Sequence, residues 1–230
     1  MWLSCFSKIK FPAVIVALGL LSACSAQQTH KVLETDKVES YGTAYTGQKA
    51  PLVVGRFENR SSYLQGLFTV NTDRLGGQAK TILKAHLQQT NRFKVVDREN
   101  LEENKREAEL RGIKQTITGA RYTVTGAVSE FGRKATGDTQ LFGILGSGKK
   151  QTAYAKVTLN IVDVANSEIV HSVQGAGEYA LSNREVVGFG TTAGYDATLN
   201  GKVLNLAITE AVNNLVRDMD RGAWSVSEKD

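Results

Sequence analysis

Cysteine is nearly absent from this 230-residue chain, which holds only Cys5 and Cys24, both close to the N-terminus. Two cysteines so placed cannot build the disulfide framework of a small secreted scaffold. Histidine is almost as scarce, and His30, His86 and His171 show no metal-ligand spacing. His86 instead falls beside an apolar helical stripe, where a core-edge role is expected. No G-x-S-x-G elbow occurs, and no carboxylate pair stands apart from the charges of helices. No catalytic residue, metal ligand or bound cofactor is therefore expected. The net charge of +5 is too mild to argue for nucleic acid as a partner. A bilayer-spanning run is also missing, since the apolar stretch from Phe11 to Leu21 is too short to cross as a helix.

That short run has another use. Lys8 and Lys10 precede it and Leu21-Ser22-Ala23-Cys24 closes it, the proportions of a secretory signal. The closing residues resemble the bacterial lipobox, which implies cleavage before Cys24, a diacylglycerol on its sulfur and an acyl chain on the new N-terminus. Residues 1–23 are then the signal. An ordinary signal peptide with an incidental cysteine is the alternative. Each buried CH₂ contributes ~0.8 kcal/mol, so several chains on one residue anchor stably. Ser25 stands where bacterial sorting reads aspartate as a signal to stay at the inner membrane, so the expected address is the outer membrane of a Gram-negative cell, facing the periplasm. With Cys5 removed and Cys24 lipidated no thiol remains for a disulfide, and loss of Lys8 and Lys10 lowers the charge to +3. Residues 24–50 are polar and read as a lipidated, flexible tether.

Residues 51–224 read as one α+β domain, followed by a polar tail over 225–230. Pro51–Asn59 is a short strand. Asp73–Gln89 is a helix whose Ala79, Ile82, Leu83 and Leu87 form a single stripe. "RFKVVD" is the next strand, after which Asp97 is expected to cap a charged helix running to Gly112. Leu101, Ala108 and Leu110 are its expected packing residues, and its charges are expected to face water. "RYTVTGAVSEFG" is an extended run. "AYAKVTLNIVDV" alternates, with Ala155, Val157, Leu159 and Ile161 on one side, and returns through the four-residue turn "ANSE" into "IVHSVQGAGEYAL". A last helix is expected from about Lys202 to Arg217. The order is strand, helix, strand, helix, three strands, helix, with no internal repeat.

"LFGILGSGKK" places Gly143, Gly148 and Lys149 at the spacing of a phosphate-binding loop. Lys150 occupies the position of the magnesium-ligating hydroxyl, and an alternating strand follows where a helix is required. No nucleotide is expected. The same glycines belong to the first of two segments too long for ordinary loops, around residues 130–153 and 178–201. In the second, Val187, Phe189, Tyr195 and Leu199 share one face of a two-residue alternation, the pattern of a membrane β-strand with a lipid-facing side. Two glycine-rich surface loops that order against a partner are the alternative. Four strands are too few to close a barrel, so the membrane reading requires a homo-oligomeric ring.

Taken in order behind the lipobox, "DRENLEENKREAEL", "YTVTGAVSEFG", "VTLNIVDVANSEIVHSV" and "RDMDRGAW" resemble the curli production assembly/transport lipoproteins, the CsgG family. The likeness runs from about Leu52 to Trp224. It is carried best by Asp97-Arg98 with Leu101, by Val162–Ser172, and by Asp220-Arg221-Gly222-x-Trp224. The resemblance implies a lipid-anchored ring in which each copy lends two β-hairpins to a shared outer-membrane barrel, through which unfolded secreted subunits leave without ATP. It implies a channel constriction in the loop between the first strand and first helix, where Tyr63, Phe68 and Asn71 are the candidates. Outer-membrane lipid and periplasmic accessory proteins are the other implied partners. A second reading is a non-pore periplasmic lipoprotein that binds and activates an envelope partner such as a peptidoglycan synthase.

Overall fold

Alternating burial along five strands builds one sheet, in a computed structural model that describes residues 35–63, 73–139, 147–185 and 198–226. The strands are β1 (Ala50–Asn59), β2 (Phe93–Val96), β3 (Tyr122–Thr139), β4 (Ser147–Asp163) and β5 (Ile169–Glu185). Helices α1 (Arg74–Gln89), α2 (Leu101–Leu110) and α3 (Thr198–Asp220) complete the expected order. The sheet runs β2-β1-β3-β4-β5. β1 is parallel to β2 and β3, whereas β3, β4 and β5 are antiparallel. The chain from Asp36 onward is one compact unit.

One face of the sheet is apolar and carries α1 and α3. Leu52, Val124, Val157, Leu159 and Ile161 point into it, as the period of two requires, and meet Leu83 and Leu87 of α1 and Leu204, Ile208 and Leu215 of α3. α3 lies closest to β5, where Gly175 and Gly177 leave no side chain between helix and strand. A methyl group at Gly175 would overlap the Ala207 carbonyl oxygen and the Ala211 amide nitrogen. His86 is buried between the two helices, with Nε2 2.8 Å from Asn205 Oδ1, the core-edge role its position suggested. The opposite face has no helical layer among the described residues. It presents Thr123, Thr125, Lys156, Thr158 and Asn160, a composition that water tolerates.

Several expectations change. Asp97 does not cap α2, which begins three residues later behind Asn100; its carboxylate accepts from the Glu99 amide at 3.0 Å in a local turn. Leu110 does not pack and is 76% exposed, leaving Ala108 as the buried residue of α2. Val164 leaves the ladder after Asp163, so the β4–β5 connection is five residues, Val164 to Glu168, rather than four. α3 starts at Thr198, ahead of Lys202, and runs on to Asp220. The tether expected to reach residue 50 is docked from Asp36: Val38 is buried and the Glu39 amide donates to Asn213 Oδ1 at 3.0 Å. Val226, expected in the tail, packs on the core.

Candidate functional site: the hairpin pole

Parallel pairing of β1 with β3 brings the C-terminal ends of both strands to the same end of the sheet. Antiparallel pairing adds the start of β4 and the end of β5, and α1 and α3 begin there too. The described residues that flank 64–72, 140–146 and 186–197 therefore all lie at one pole. Sequence alone showed separate loops; strand direction is what gathers their ends.

At this pole the sheet outruns the helices. β3 continues to Thr139, β4 begins at Ser147 and β5 continues to Glu185, all in register: Arg133 pairs with Ala153 and Ala153 with Tyr179, Thr139 with Ser147 and Ser147 with Glu185. β1 ends at Asn59, opposite Val128, so β3 has no strand on its outer side beyond that point among the described residues. Among the described residues β5 is an edge strand throughout. The result is a three-stranded stem with two open edges. Gly148, Lys149 and Lys150 lie within β4, so the phosphate-loop spacing belongs to a strand.

The first glycine-rich segment thus forms the two strands of a hairpin, as its length suggested. The second differs. Its first part is β5, paired to the same β4, and its last residues are helix. Leu199 is corrected from a lipid-facing strand position to a fully buried residue of α3. Its apolar neighbours in sequence, Val203 and Leu204, set a helical stripe that overrides the two-residue alternation. Val187, Phe189 and Tyr195 lie outside the described residues, as do Phe68, Asn71 and Cys24.

The first loop is clamped at its base. Asp73 caps α1 by accepting from the Gly76 amide at 2.8 Å, and its second oxygen accepts from the Asn59 amide at 2.7 Å, joining the end of β1 to the start of the helix. Asn59 in turn holds Ser61 and the Tyr63 carbonyl. The Tyr63 ring lies 4.7 Å from that of Phe131, and its hydroxyl accepts from Asn200 at 3.3 Å. Tyr63 is thus drawn in against β3 and α3 at the foot of the stem.

The opposite pole explains the C-terminal signature. α3 ends in a Schellman turn, with Gly222 at φ 72° and the Ala223 amide bonded to the Asp218 carbonyl at 2.9 Å. This turn delivers Trp224 between Phe93, Tyr122 and His171. Asp220 accepts two bonds from Arg92, each at 2.9 Å. Asp218 accepts from Arg221 and, at 3.0 Å, from His171; these contacts, Arg221 first, hold its carboxyl below the ordinary value. An open depression of about 540 Å³ lies nearby, lined in part by Lys49, Pro51, Arg121, Asp163 and Val164. Among the described residues no three His, Cys, Asp or Glu gather in a metal-sized cluster. No described helix is long and apolar enough to cross a membrane, which leaves strands undecided.

A family model for the curli production assembly/transport component CsgG matches residues 38–230. A Neisseria meningitidis serogroup B protein, NMB1126/NMB1164, provisionally described as a lipoprotein, is 60% identical over 213 residues, which is 92% of this chain and 96% of that one. Among solved structures, the PelC dodecamer from Paraburkholderia phytofirmans aligns over 79% of this chain and 93% of its own, at 15% identity and a TM-score of 0.33. The LpoB C-terminal domain from Salmonella enterica aligns over 57% and 85%, at 16% identity and a TM-score of 0.30.

Proposed function

The chain belongs to the CsgG family of curli production assembly/transport components, and from that premise we propose that it is an outer-membrane lipoprotein, anchored through Cys24, that assembles with copies of itself into a secretion channel for unfolded subunits. The observation that carries this reading is the stem. Among the described residues its β3 and β5 edges offer unpaired backbone donors and acceptors on opposite sides. Such edges recruit further strands unless they are covered. The β5 edge of one copy fits the β3 edge of the next, a head-to-tail contact that closes only as a ring. Closure is also the condition for strands to enter lipid, where an open edge leaves several kcal/mol per unpaired group. Beyond the stem the sequence turns apolar, as in Leu141-Phe142-Gly143-Ile144-Leu145.

The experiment is direct. Full-length lipoprotein extracted in mild detergent is sized and reconstituted into planar bilayers. A large symmetric assembly with ion conductance is expected; a monomer without conductance overturns the channel.

One observation favours the second reading, a non-pore lipoprotein that activates an envelope partner. Only residues 186–197 separate β5 from α3. Shared between an outward and a return strand, they give about six residues each way, short of the ~9–11 that a membrane strand needs. The stem would have to supply the rest, and its rows carry Lys134, Lys149, Lys150 and Arg184. A monomer that binds a peptidoglycan synthase in pull-down from envelope extracts, and raises its activity when purified, would establish this alternative.

A further inference from the structure

The helix-free face of the sheet is not flat. β1 carries one extra residue between the Val54–Val124 and Phe57–Gly126 pairs, and β3 carries one more, Ser129, between the Val128–Val157 and Glu130–Lys156 pairs. Such bulges bend and twist the strand that holds them. Between the two lies a groove of about 370 Å³. Arg56, Glu58 and Arg60 wall it at the end of β1, and Thr125, Thr158 and Asn160 line it from β3 and β4.

The polar groups of the groove are held in place but not used up. Glu58 pairs with both Arg56 and Arg60, which fixes two guanidinium groups on one carboxylate. Asn160 Oδ1 accepts from Ser172 Oγ at 2.8 Å, so the Asn160 NH₂ group is left to donate. Thr158 Oγ1 accepts from Gln174 at 3.3 Å and keeps its own proton for another acceptor. Ser129 Oγ donates to the Lys156 carbonyl at 3.1 Å and keeps its lone pairs. Donors and acceptors thus stand side by side, which suits a ligand made of hydroxyls, since each hydroxyl both donates and accepts.

From the groove the same face continues along β4 through Lys156 to Tyr154, a rise of about 14 Å from Thr158. Tyr154 pairs with Gly132, and its ring lies across the place that a side chain at 132 would fill. One side of the ring therefore rests on backbone, while Tyr154 remains 45% exposed. The face of an aromatic ring is negative, so it attracts the C–H bonds on the apolar side of a sugar ring.

We propose that the groove and the strip leading from it to Tyr154 bind an uncharged, hydroxyl-rich glycan chain. Charge selects this class of polymer. Between the levels of Tyr154 and Asn160 the face carries Arg56, Arg60 and Lys156 against Glu58, Glu130 and Glu178, three of each sign. Lys156 lies 3.7 Å from Glu130, and Glu58 is shared by the two arginines. A balanced strip gives a polyanion no net attraction. Among the described residues Tyr154 is the one exposed large hydrophobic side chain of the strip, so an apolar protein surface gains little there. The site needs neither ring nor barrel and goes beyond the channel reading.

The full chain carrying Cys24→Ser, which lacks the lipid, is titrated by calorimetry in detergent-free buffer with chitohexaose, cellohexaose and hexagalacturonate. Binding of a neutral hexamer, little changed by salt and tighter than that of the acidic one, is expected. Chitohexaose alone would mark an N-acetylated, wall-type glycan; cellohexaose, alone or as well, would mark a plain hexosan, and either result supports the site. Asn160→Ala removes one neutral hydrogen bond and Tyr154→Leu one ring contact, so each should weaken binding about fivefold. Tyr154→Phe keeps the ring and should retain binding. Circular dichroism of each variant checks the fold, and Arg60→Ala, at an exposed side chain, should also weaken binding with the sheet untouched. Failure of both neutral hexamers to bind at millimolar concentration overturns the proposal, as does tighter binding of hexagalacturonate. Undiminished binding by Asn160→Ala and Tyr154→Leu overturns it too. So does loss of self-assembly by Tyr154→Leu in sedimentation velocity without any sugar binding, which would mark the face as a contact between copies.

Discussion

Replacing Gly175 by alanine adds one methyl group where β5 meets α3, and the three nearest neighbours of that methyl are helix backbone. It would overlap the Ala207 carbonyl and the Ala211 amide nitrogen and come within 2.8 Å of the Ala211 Cα. No rotamer change relieves this, so α3 must lift by about an ångström. A radial gap of ~0.5–1 Å forfeits a quarter to a half of each van der Waals contact it opens. The contacts at risk belong to Val203, Ala207, Ile208 and Ala211, all fully buried. Overpacking of this kind costs ~1–3 kcal/mol, and the rigidity of the obstacle argues for the upper end, about 3 kcal/mol. In a domain of this size that lowers Tm by about 6–12 °C. The assay is urea and thermal unfolding of the Cys24→Ser chain by circular dichroism. Gly77→Ala is the matched control. Gly77 sits exposed in α1 with nothing within 4 Å of an added methyl, so alanine should stabilise by ~0.5–1 kcal/mol. If Gly175→Ala shifts stability by no more than the control does, the close seat of α3 on β5 is wrong.

Asp73→Ala removes the α1 cap and the clasp on the Asn59 amide together, and should cost ~1–2 kcal/mol by the same unfolding measurement, with Asp73→Asn recovering part of it. Three carboxyls are held below their ordinary values: Asp218 by Arg221 and then His171, Glu99 by Lys80 and Lys84, and Asp97 by the Glu99 amide and the Asn100 side chain. A folded value below the unfolded one adds stability that is complete above the unfolded value, 3.8 or 4.5 here, and is lost as pH falls through the folded value. From these three groups, stability should hold level from neutral pH to about 5 and decline below about 4. Asp218→Asn should reduce that acid-side slope, and an unchanged slope would refute the contribution of Asp218.

The parts of the fold legible in the sequence are those where one period dominates. Ala155, Val157, Leu159 and Ile161 alternate without interruption and are all buried. The α1 stripe is equally plain, although Ile82 lies at its margin. Leu199 was misread because Val187–Leu199 fits a two-residue period while the first turn of α3 also claims its end; only packing against the core separates the two. Leu110 was misread because a thin apolar face predicts packing only if a surface lies opposite, and sequence does not place one. The joining of three connections at one pole depends on the parallel pairing of β1 with β3, a long-range choice with no local signal. The Gly-Ala-Gly at 175–177 did carry a signal, since glycine inside a strand marks a close backbone approach.

The course of the chain into the domain constrains the membrane reading further. The Asn205 side-chain amide donates to Asp36 at 3.4 Å and Asn213 accepts from the Glu39 amide, so the segment runs along α3 away from the hairpin pole, and Asp36 marks its end nearer that pole. The Lys202 ammonium lies 4.9 Å from the Tyr179 ring, which sets α3 against the foot of the stem. From Tyr179 to Glu185 the strand rises about 20 Å, and Asn205 lies about one helical turn below Lys202. A membrane at the top of the stem is thus about 25 Å from Asp36. Twelve residue steps separate Cys24 from Asp36, a reach of at most ~40 Å, so lipid and stem can occupy the same membrane. Deleting residues 26–33 leaves four steps, or about 14 Å. The shortened lipoprotein, still carrying its lipidation sequence, should then be retained in membranes but fail to conduct, because its anchor and its stem can no longer reach one bilayer together. Conductance that survives the deletion would leave the channel standing and refute the placement of the membrane at the top of the stem.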